Sequence, residues 1–195
     1  MSATTAEDHY PVDCPFCGIA QTYPSPISQI SNSDDLKSCV PDVVDAEKVS
    51  PSCHLVLSAP EVLAFLDIMP MTMGHLLVTT RSHRLKIEHV PGNEASDIGF
   101  WLPILAKAVS QTVGVTDYNI VQNNGPRAAQ VVPHVHFHII PRPESVPTIQ
   151  NKSWTMFGRG KRDDLDDDEA ANLAAEIRRQ IRKELDHRSR NQSNL

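Results

Sequence analysis

No stretch of this chain approaches the roughly 20 consecutive apolar residues that cross a bilayer, so a membrane protein is not expected. The opening segment, "MSATTAEDHYPVDCPFCGIA", lacks a basic region followed by an apolar one, so a secretory leader is not expected either. The expected compartment is intracellular, cytoplasmic or nuclear, where four cysteines read as thiols or metal ligands rather than disulfides. Positive charge is in deficit. The formal net charge of −6 argues against gripping nucleic acid by bulk electrostatics, although it leaves room for a small anion in a local cluster of donors. Internal repeats are absent too. What the chain does have is an ordinary hydrophobic fraction of 40%, over a length that suits one well-buried core and not two.

Residues 1–13 read as an N-terminal tail, followed by the tight Cys14-x-x-Cys17 turn. Residues 21–52 are rich in Ser, Pro and Asp without clear periodicity, which predicts a long, partly disordered surface insertion. A short helix in "DVVDAEKV" is the alternative there. From Cys53 onward, "HLVLSAPEVLAFLDI" reads as two strands about Ala59-Pro60, and "GHLLVTTRS" as a third. Ile98, Trp101, Leu102, Leu105, Ala108 and Val109 recur at helical spacing, Gly114 is a stop signal, and Pro103 predicts a kink or a later start. "YNIVQNN" is a strand, "GPRAAQVVP" a loop and "HVHFHII" a further strand. Residues 146–195 form a C-terminal extension ending in an amphipathic helix, acidic at its start and basic at its end. Its stripe of Leu173, Ala174, Ile177, Ile181 and Leu185 is expected to pack on the domain or on a partner subunit. Arg178, Arg179, Arg182 and Lys183 read as a solvated face. Strands, helix, strands, helix in that order indicate an α+β domain with an antiparallel sheet.

The feature that carries chemistry is "VVPHVHFHIIPR". Alternate residues of a strand share a face, so His134, His136 and His138 line one side at a spacing of roughly 6.5–7 Å. Val135, Phe137 and Ile139 then point into the core. Three imidazoles on one face are hard to satisfy as passive polar groups. A metal site and covalent acid–base catalysis at phosphorus remain. No acidic residue occurs in this run before Glu144, while Asn123, Asn124, Gln130 and Gly125 supply amides and pliant backbone suited to phosphate oxygens. Chemistry at phosphorus is favoured.

His-x-His-x-His followed by two apolar residues resembles the signature of the histidine triad (HIT) superfamily. "FLDIMPMTMGHLLVTTRSH" is similar to that family's first conserved segment, and "YNIVQNNG" to its strand and turn before the triad. The resemblance spans roughly residues 14–142, interrupted by the insertion, and is strongest to the nucleotide-binding, phosphoramidase-like branch. It implies a HIT-like half-barrel antiparallel sheet with flanking helices, as a single domain over residues 14–145, and a homodimer. It further implies hydrolysis at the α-phosphate of a nucleoside phosphoramidate or related nucleotidyl derivative, releasing a nucleoside monophosphate with no metal required for the chemistry. His136 would be the nucleophile, with His138 near the leaving group, His134 fixing the surroundings and His75 pairing with His134. Asp67 would bind the ribose hydroxyls, Phe65 and Ile68 would line the base pocket, and Asn123 and Gln130 would contact nucleophile or phosphate. Histidine rather than glutamine at position 138 favours hydrolysis over transfer.

Two positions depart from the family pattern: Val131 stands where Ser or Thr is common, and Ala129 where Gly is common. The alternatives are a dinucleoside polyphosphate hydrolase and a nucleotide-binding regulatory protein with vestigial activity. Cys14-x-x-Cys17 by itself fits half a zinc site, a redox pair or free thiols. The resemblance implies a structural zinc held by Cys14, Cys17, His83 and His134, with Cys53 and His54 as an alternative source of ligands. Cys39 has no expected role. Nucleotide is thus the expected partner, with neither nucleic acid nor membrane.

Overall fold

Alternation between two faces explains the whole architecture. In β2 (Val62–Leu66) every residue is buried, yet Val62, Ala64 and Leu66 enter one apolar cluster while Leu63 and Phe65 enter another. A strand buried on both sides needs cover on both sides, and the computed structural model, which describes residues 13–144 and 166–192, shows what supplies it. The tail expected over residues 1–13 lies outside the described residues except for Asp13, as does the extension between residues 145 and 165.

The sheet has five strands in the order β1-β2-β3-β5-β4, all neighbours antiparallel. β1 (Leu55–Ser58) and β2 form the expected hairpin, and β3 (Leu76–Thr80) follows through the Asp67–Gly74 turn. β4 is Tyr118–Gln122 and β5 is His136–Pro141, so the triad strand lies between β3 and β4. One face is covered by α3 (Gly92–Val113) and α4 (Asp167–Gln192), which pack against each other. Trp101, Ile104, Leu105, Ile139, Ile177 and Ile181 fill the space between helices and sheet. α3 runs through Pro103 without a later start and stops at Gly114, whose φ of 67° is the left-handed C-terminal conformation that glycine adopts without a Cβ clash.

The α4 stripe packs on this domain and not outward: Ala174, Ile177, Ile181 and Leu185 are all buried. The expected solvated basic face is not found at two of its four positions. The Arg178 guanidinium is buried and donates to the Leu55 carbonyl, and Arg182 donates to the Val40 carbonyl and pairs with Asp42. These arginines satisfy backbone oxygens that the helix would otherwise cover and strand.

The insertion is also ordered where a loose loop was expected. It contains the end of α1 (Pro15–Thr22), α2 (Ser33–Ser38) and a 3-10 turn at Ala46–Lys48, inside the segment considered for a short helix. Asn32 caps α2 through a reciprocal capping box with Asp35. Cys39 and Val40 are buried in the main core, while Val44 and Val49 pack on the opposite face of the sheet. Arg81 fastens α1 from inside, donating to the carbonyls of Ala20, Tyr23 and Ala59 and to the Ser58 hydroxyl. No helix among the described residues is long and apolar enough to cross a membrane.

Candidate active site

The face of the sheet turned toward α1 carries the histidines. β5 runs antiparallel to β3 with His136 opposite Thr79 and His138 opposite Leu77. Phe137 and Ile139 pack with the main core, and Val135 is fully buried, so the expected alternation holds. The rings of His136 and His138 lie 4.9 Å apart between centroids. His134 sits in the bend just before β5 rather than on the strand. Its ring neighbours are His83 at 5.0 Å and Phe16 at 5.9 Å.

Backbone groups settle which ring nitrogens bear protons, because a carbonyl can only accept and an amide can only donate. His136 Nδ1 lies 2.6 Å from the His134 carbonyl and must donate to it, leaving Nε2 as a lone pair. His134 Nε2 faces the Thr80 carbonyl at 2.9 Å and the Thr80 hydroxyl at 3.1 Å, so Nε2 holds the proton and Nδ1 accepts. The Met71 amide donates to His75 Nδ1 at 3.2 Å, which puts the His75 proton on Nε2. His75 Nε2 in turn lies 3.0 Å from His138 Nδ1, so His138 accepts there and carries its proton on Nε2. Asp67 Oδ2 is also 3.4 Å from His75 Nδ1. The amide, being nearer and able only to donate, fixes the tautomer.

Burial pushes the His136 pKa below its ordinary value, with the bond to the His134 carbonyl opposing. A neutral imidazole with an Nε2 lone pair has the chemistry to attack phosphorus, and a neighbour with a protonated Nε2 can donate a hydrogen bond beside it.

The expected pairing of His75 with the first histidine of the triad is not what the fold builds. Antiparallel register places His75, just ahead of Leu76, beside the His138 end of β5, because Leu76 pairs with Ile139 and Thr79 with His136. His134 lies at the far end and cannot reach it.

Asp67 is buried. Its Oδ1 accepts from the Met69 amide at 2.9 Å, bracing the β2–β3 turn. Phe65 is buried in the second apolar cluster, 5.3 Å from the Phe16 ring. Ile68 is 44% exposed and lines a cavity of about 480 Å³ with Met69, Val49, Ser50, His54 and Asp167, so of the two expected base-pocket residues it is the one presented to solvent. Asn123 is buried at the end of β4. Gln130 is committed to its loop: Oε1 accepts from the Gly125 amide at 2.6 Å and Nε2 donates to the Leu85 carbonyl at 2.8 Å. That loop takes a left-handed turn at Ala129, φ 62°, where a Cβ costs about 1 kcal/mol that glycine avoids. Val131 is 82% exposed and offers no hydroxyl.

Cys14, Cys17, His83 and His134 converge, with one ligand atom from each lying within 4.8 Å of all the others. His134 Nδ1 is 3.4 Å from Cys14 Sγ and 3.6 Å from Cys17 Sγ, and Cys17 Sγ is 3.3 Å from His83 Nδ1. A tetrahedral zinc with ordinary Zn–S and Zn–N bonds sets adjacent S and N ligands about 3.6 Å apart, so the four residues fit such an ion. Cys53 and His54 are placed elsewhere: Cys53 is buried in the second cluster, and His54 pairs with Asp167 at 3.0 Å. Sequence reasoning missed Phe16, Thr80 and the Met71 amide. Only Phe16 left a signal, as the one aromatic between the two cysteines.

A five-stranded antiparallel sheet that carries a histidine row on one face, with a fourth histidine wired to its end, defines a histidine-triad protein. The chain belongs to the HIT domain family, whose model matches residues 48–145. It is 48% identical over 81 residues to the adenosine 5'-monophosphoramidase hnt1 of Schizosaccharomyces pombe, covering 42% of this chain and 58% of that one. It is 40% identical over 119 residues to the HIT-like protein MJ0866 of Methanocaldococcus jannaschii, covering 58% and 83%. A histidine triad nucleotide-binding protein from Sulfolobus tokodaii shares the fold, with a TM-score of 0.61 and 20% identity over 87% of this chain and 93% of that one. The chain spans about half to three-fifths of the length of the monophosphoramidases it matches.

Proposed function

We propose that this protein is a HIT hydrolase that cleaves nucleoside phosphoramidates, or related nucleotidyl derivatives, at the α-phosphorus. The observation that carries the reading is the His134 carbonyl at 2.6 Å from His136 Nδ1, which leaves Nε2 as the free, attacking nitrogen. In the first step His136 Nε2 bonds to phosphorus while the P–N bond to the leaving amine breaks. The leaving nitrogen takes its proton from solvent and departs as the neutral amine, while His138 Nε2–H donates a hydrogen bond to the phosphoryl oxygen. In the second step the oxygen of a water molecule bonds to phosphorus as the bond to His136 breaks, and one water proton returns to solvent. A nucleoside monophosphate leaves and both rings keep their starting tautomers. His75, fixed by the Met71 amide, keeps His138 in the tautomer that can donate. Asp67 binds the ribose hydroxyls through its carboxylate, and Ile68 faces the base.

Relatives named adenosine 5'-monophosphoramidase support the phosphoramidate reading over the dinucleoside polyphosphate one. Cys14, Cys17, His83 and His134 hold a structural zinc on this reading, and total metal analysis of purified protein tests it. The chain pairs with a second copy through β4, a sheet edge that exposes Tyr118 and Ile120; light scattering of the purified protein checks the mass. The net charge of −6 speaks against nucleic acid as substrate, and thiolate ligands suit a cytoplasmic or nuclear setting.

The deciding experiment incubates the protein with adenosine 5′-phosphoramidate and with diadenosine polyphosphates, with and without chelator. Faster release of AMP from the phosphoramidate, abolished in His136→Asn while AMP still binds, is the expected result. Preference for the polyphosphates would move the assignment. Consumption of neither, with nucleoside monophosphate bound, would make the protein a nucleotide-binding regulator, the reading that the hydroxyl-free Val131 keeps in play.

A further inference from the structure

Of the two residues between the cysteines, Pro15 and Phe16, the second has no polar side-chain atom, and neither a metal clamp nor the reaction steps assign it a role. Phe16 occupies the first turn of α1 behind Pro15 and is buried. Its ring stands perpendicular to that of His136, with centroids 5.2 Å apart and 88° between planes. Phe65 backs it at 5.3 Å. The His136 ring is therefore restrained three ways: Phe16, the His138 ring at 4.9 Å and 70°, and the Nδ1 bond to the His134 carbonyl. The hydrogen bond decides which edge of the imidazole turns inward, but a ring held by one bond can still rock about it. A perpendicular aromatic wall removes that freedom.

The wall is itself fastened to the same place. Cys14 and Cys17 bracket Phe16, and both sulfurs lie against His134 Nδ1, at 3.4 and 3.6 Å, while the carbonyl of that same His134 holds His136. Turn, wall and nucleophile thus share one anchor residue.

We infer that Phe16 is a positioning residue for the reaction: presented by the Cys14–Cys17 turn, it walls the His136 imidazole so that Nε2 stays aimed at phosphorus. The inference rests on His136 being the nucleophile. It assigns the Cys-x-x-Cys turn a part in turnover beyond holding a metal. Because a misplacement of about 1 Å in a reacting group can cost on the order of 100-fold in rate, the loss of a wall should be read in kcat.

The test uses the full-length, metal-loaded protein. Phe16→Leu keeps apolar bulk but removes the ring; Phe16→Met is the fallback if the leucine variant does not fold; Phe16→Tyr restores an aromatic wall. The expected result for Phe16→Leu or Phe16→Met is a kcat lowered by roughly 10- to 100-fold. KM, AMP affinity and bound metal should stay near wild type, and Phe16→Tyr should recover most of the rate. Nitrogen NMR supplies a readout independent of turnover: His136 should give one sharp Nδ1–H tautomer in wild type and exchange-broadened signals in the ring-deleted variants. Unchanged kcat, a raised KM at unchanged kcat, or loss of metal in step with loss of rate would overturn the inference. Should wild type consume no nucleotide derivative, the functional proposal fails. The NMR comparison then still decides: an unaltered His136 signal in Phe16→Leu refutes the wall.

Discussion

Acidification should destabilise the metal-free protein, and one histidine contributes a separable share of the loss. His134 is fully buried, and loss of solvation pushes its pKa down from 6.5 to about 4, against the opposing pull of the Thr80 carbonyl. In the unfolded chain the same ring titrates near its ordinary value. Between those two pH values the unfolded state therefore binds a proton that the folded state refuses, so stability falls as pH falls from about 6.5 to about 4 and levels off below. At roughly 1.4 kcal/mol per pH unit the loss is about 3 kcal/mol. With a urea m-value of about 2 kcal/mol/M, the unfolding midpoint should drop by roughly 1.5 M over that window. The control is His134→Gln, whose side-chain amide can still donate toward Thr80 but does not titrate. Urea titrations in chelator at pH 7 and pH 4 should show wild type losing about 3 kcal/mol more than the variant. Parallel losses in the two proteins would refute the assignment of this acid sensitivity to His134.

Zinc uptake should expel protons: burial and the neighbouring Cys14 push the Cys17 thiol up to about 11, so binding at neutral pH must release at least one proton, measurable by calorimetry in buffers of different ionisation enthalpy. A heat independent of buffer would contradict this. Ile177→Ala, at a fully buried position of α4, should cost about 2–5 kcal/mol in urea unfolding, whereas a loss under about 1 kcal/mol would mean that α4 is not part of the core. Gly74→Ala should destabilise by about 1–3 kcal/mol, since φ is 82° and a Cβ would come 2.7 Å from Val113 Cγ1; a thermal midpoint equal to wild type would deny the strain.

What periodicity encodes was legible in the sequence. The row of imidazoles, the strands on either side of Ala59-Pro60, α3 with its stop at Gly114 and the apolar stripe of α4 all follow from spacing along one segment. The convergence of Cys14, Cys17, His83 and His134 followed from the family resemblance. What failed depended on pairing between segments. His75 was joined to the wrong end of the triad because strand register is invisible before β3 and β5 are aligned. Residues 21–52 looked loose because their order comes from partners far along the chain: Arg182 reaches Val40 and Asp42 across about 140 positions. Arg178 looked solvated because nothing local reveals that a carbonyl of β1 waits beneath it. Phe16 was overlooked because an apolar residue in a tight turn announces packing, and only the folded chain reveals that its neighbour is His136.

The clasp between α4 and residues 33–42 has a consequence for anyone shortening this protein. Lys37 meets Asp186, and Arg182 meets Asp42, so the two segments that look most dispensable hold each other down. Trimming the carboxyl-terminal helix to reach a minimal fold would unroof Val40 and Cys39, and trimming residues 33–42 would bare Leu185. Either excision leaves grease facing water and invites clumping, so a workable truncation must remove both pieces together and repaint the uncovered sheet with polar side chains.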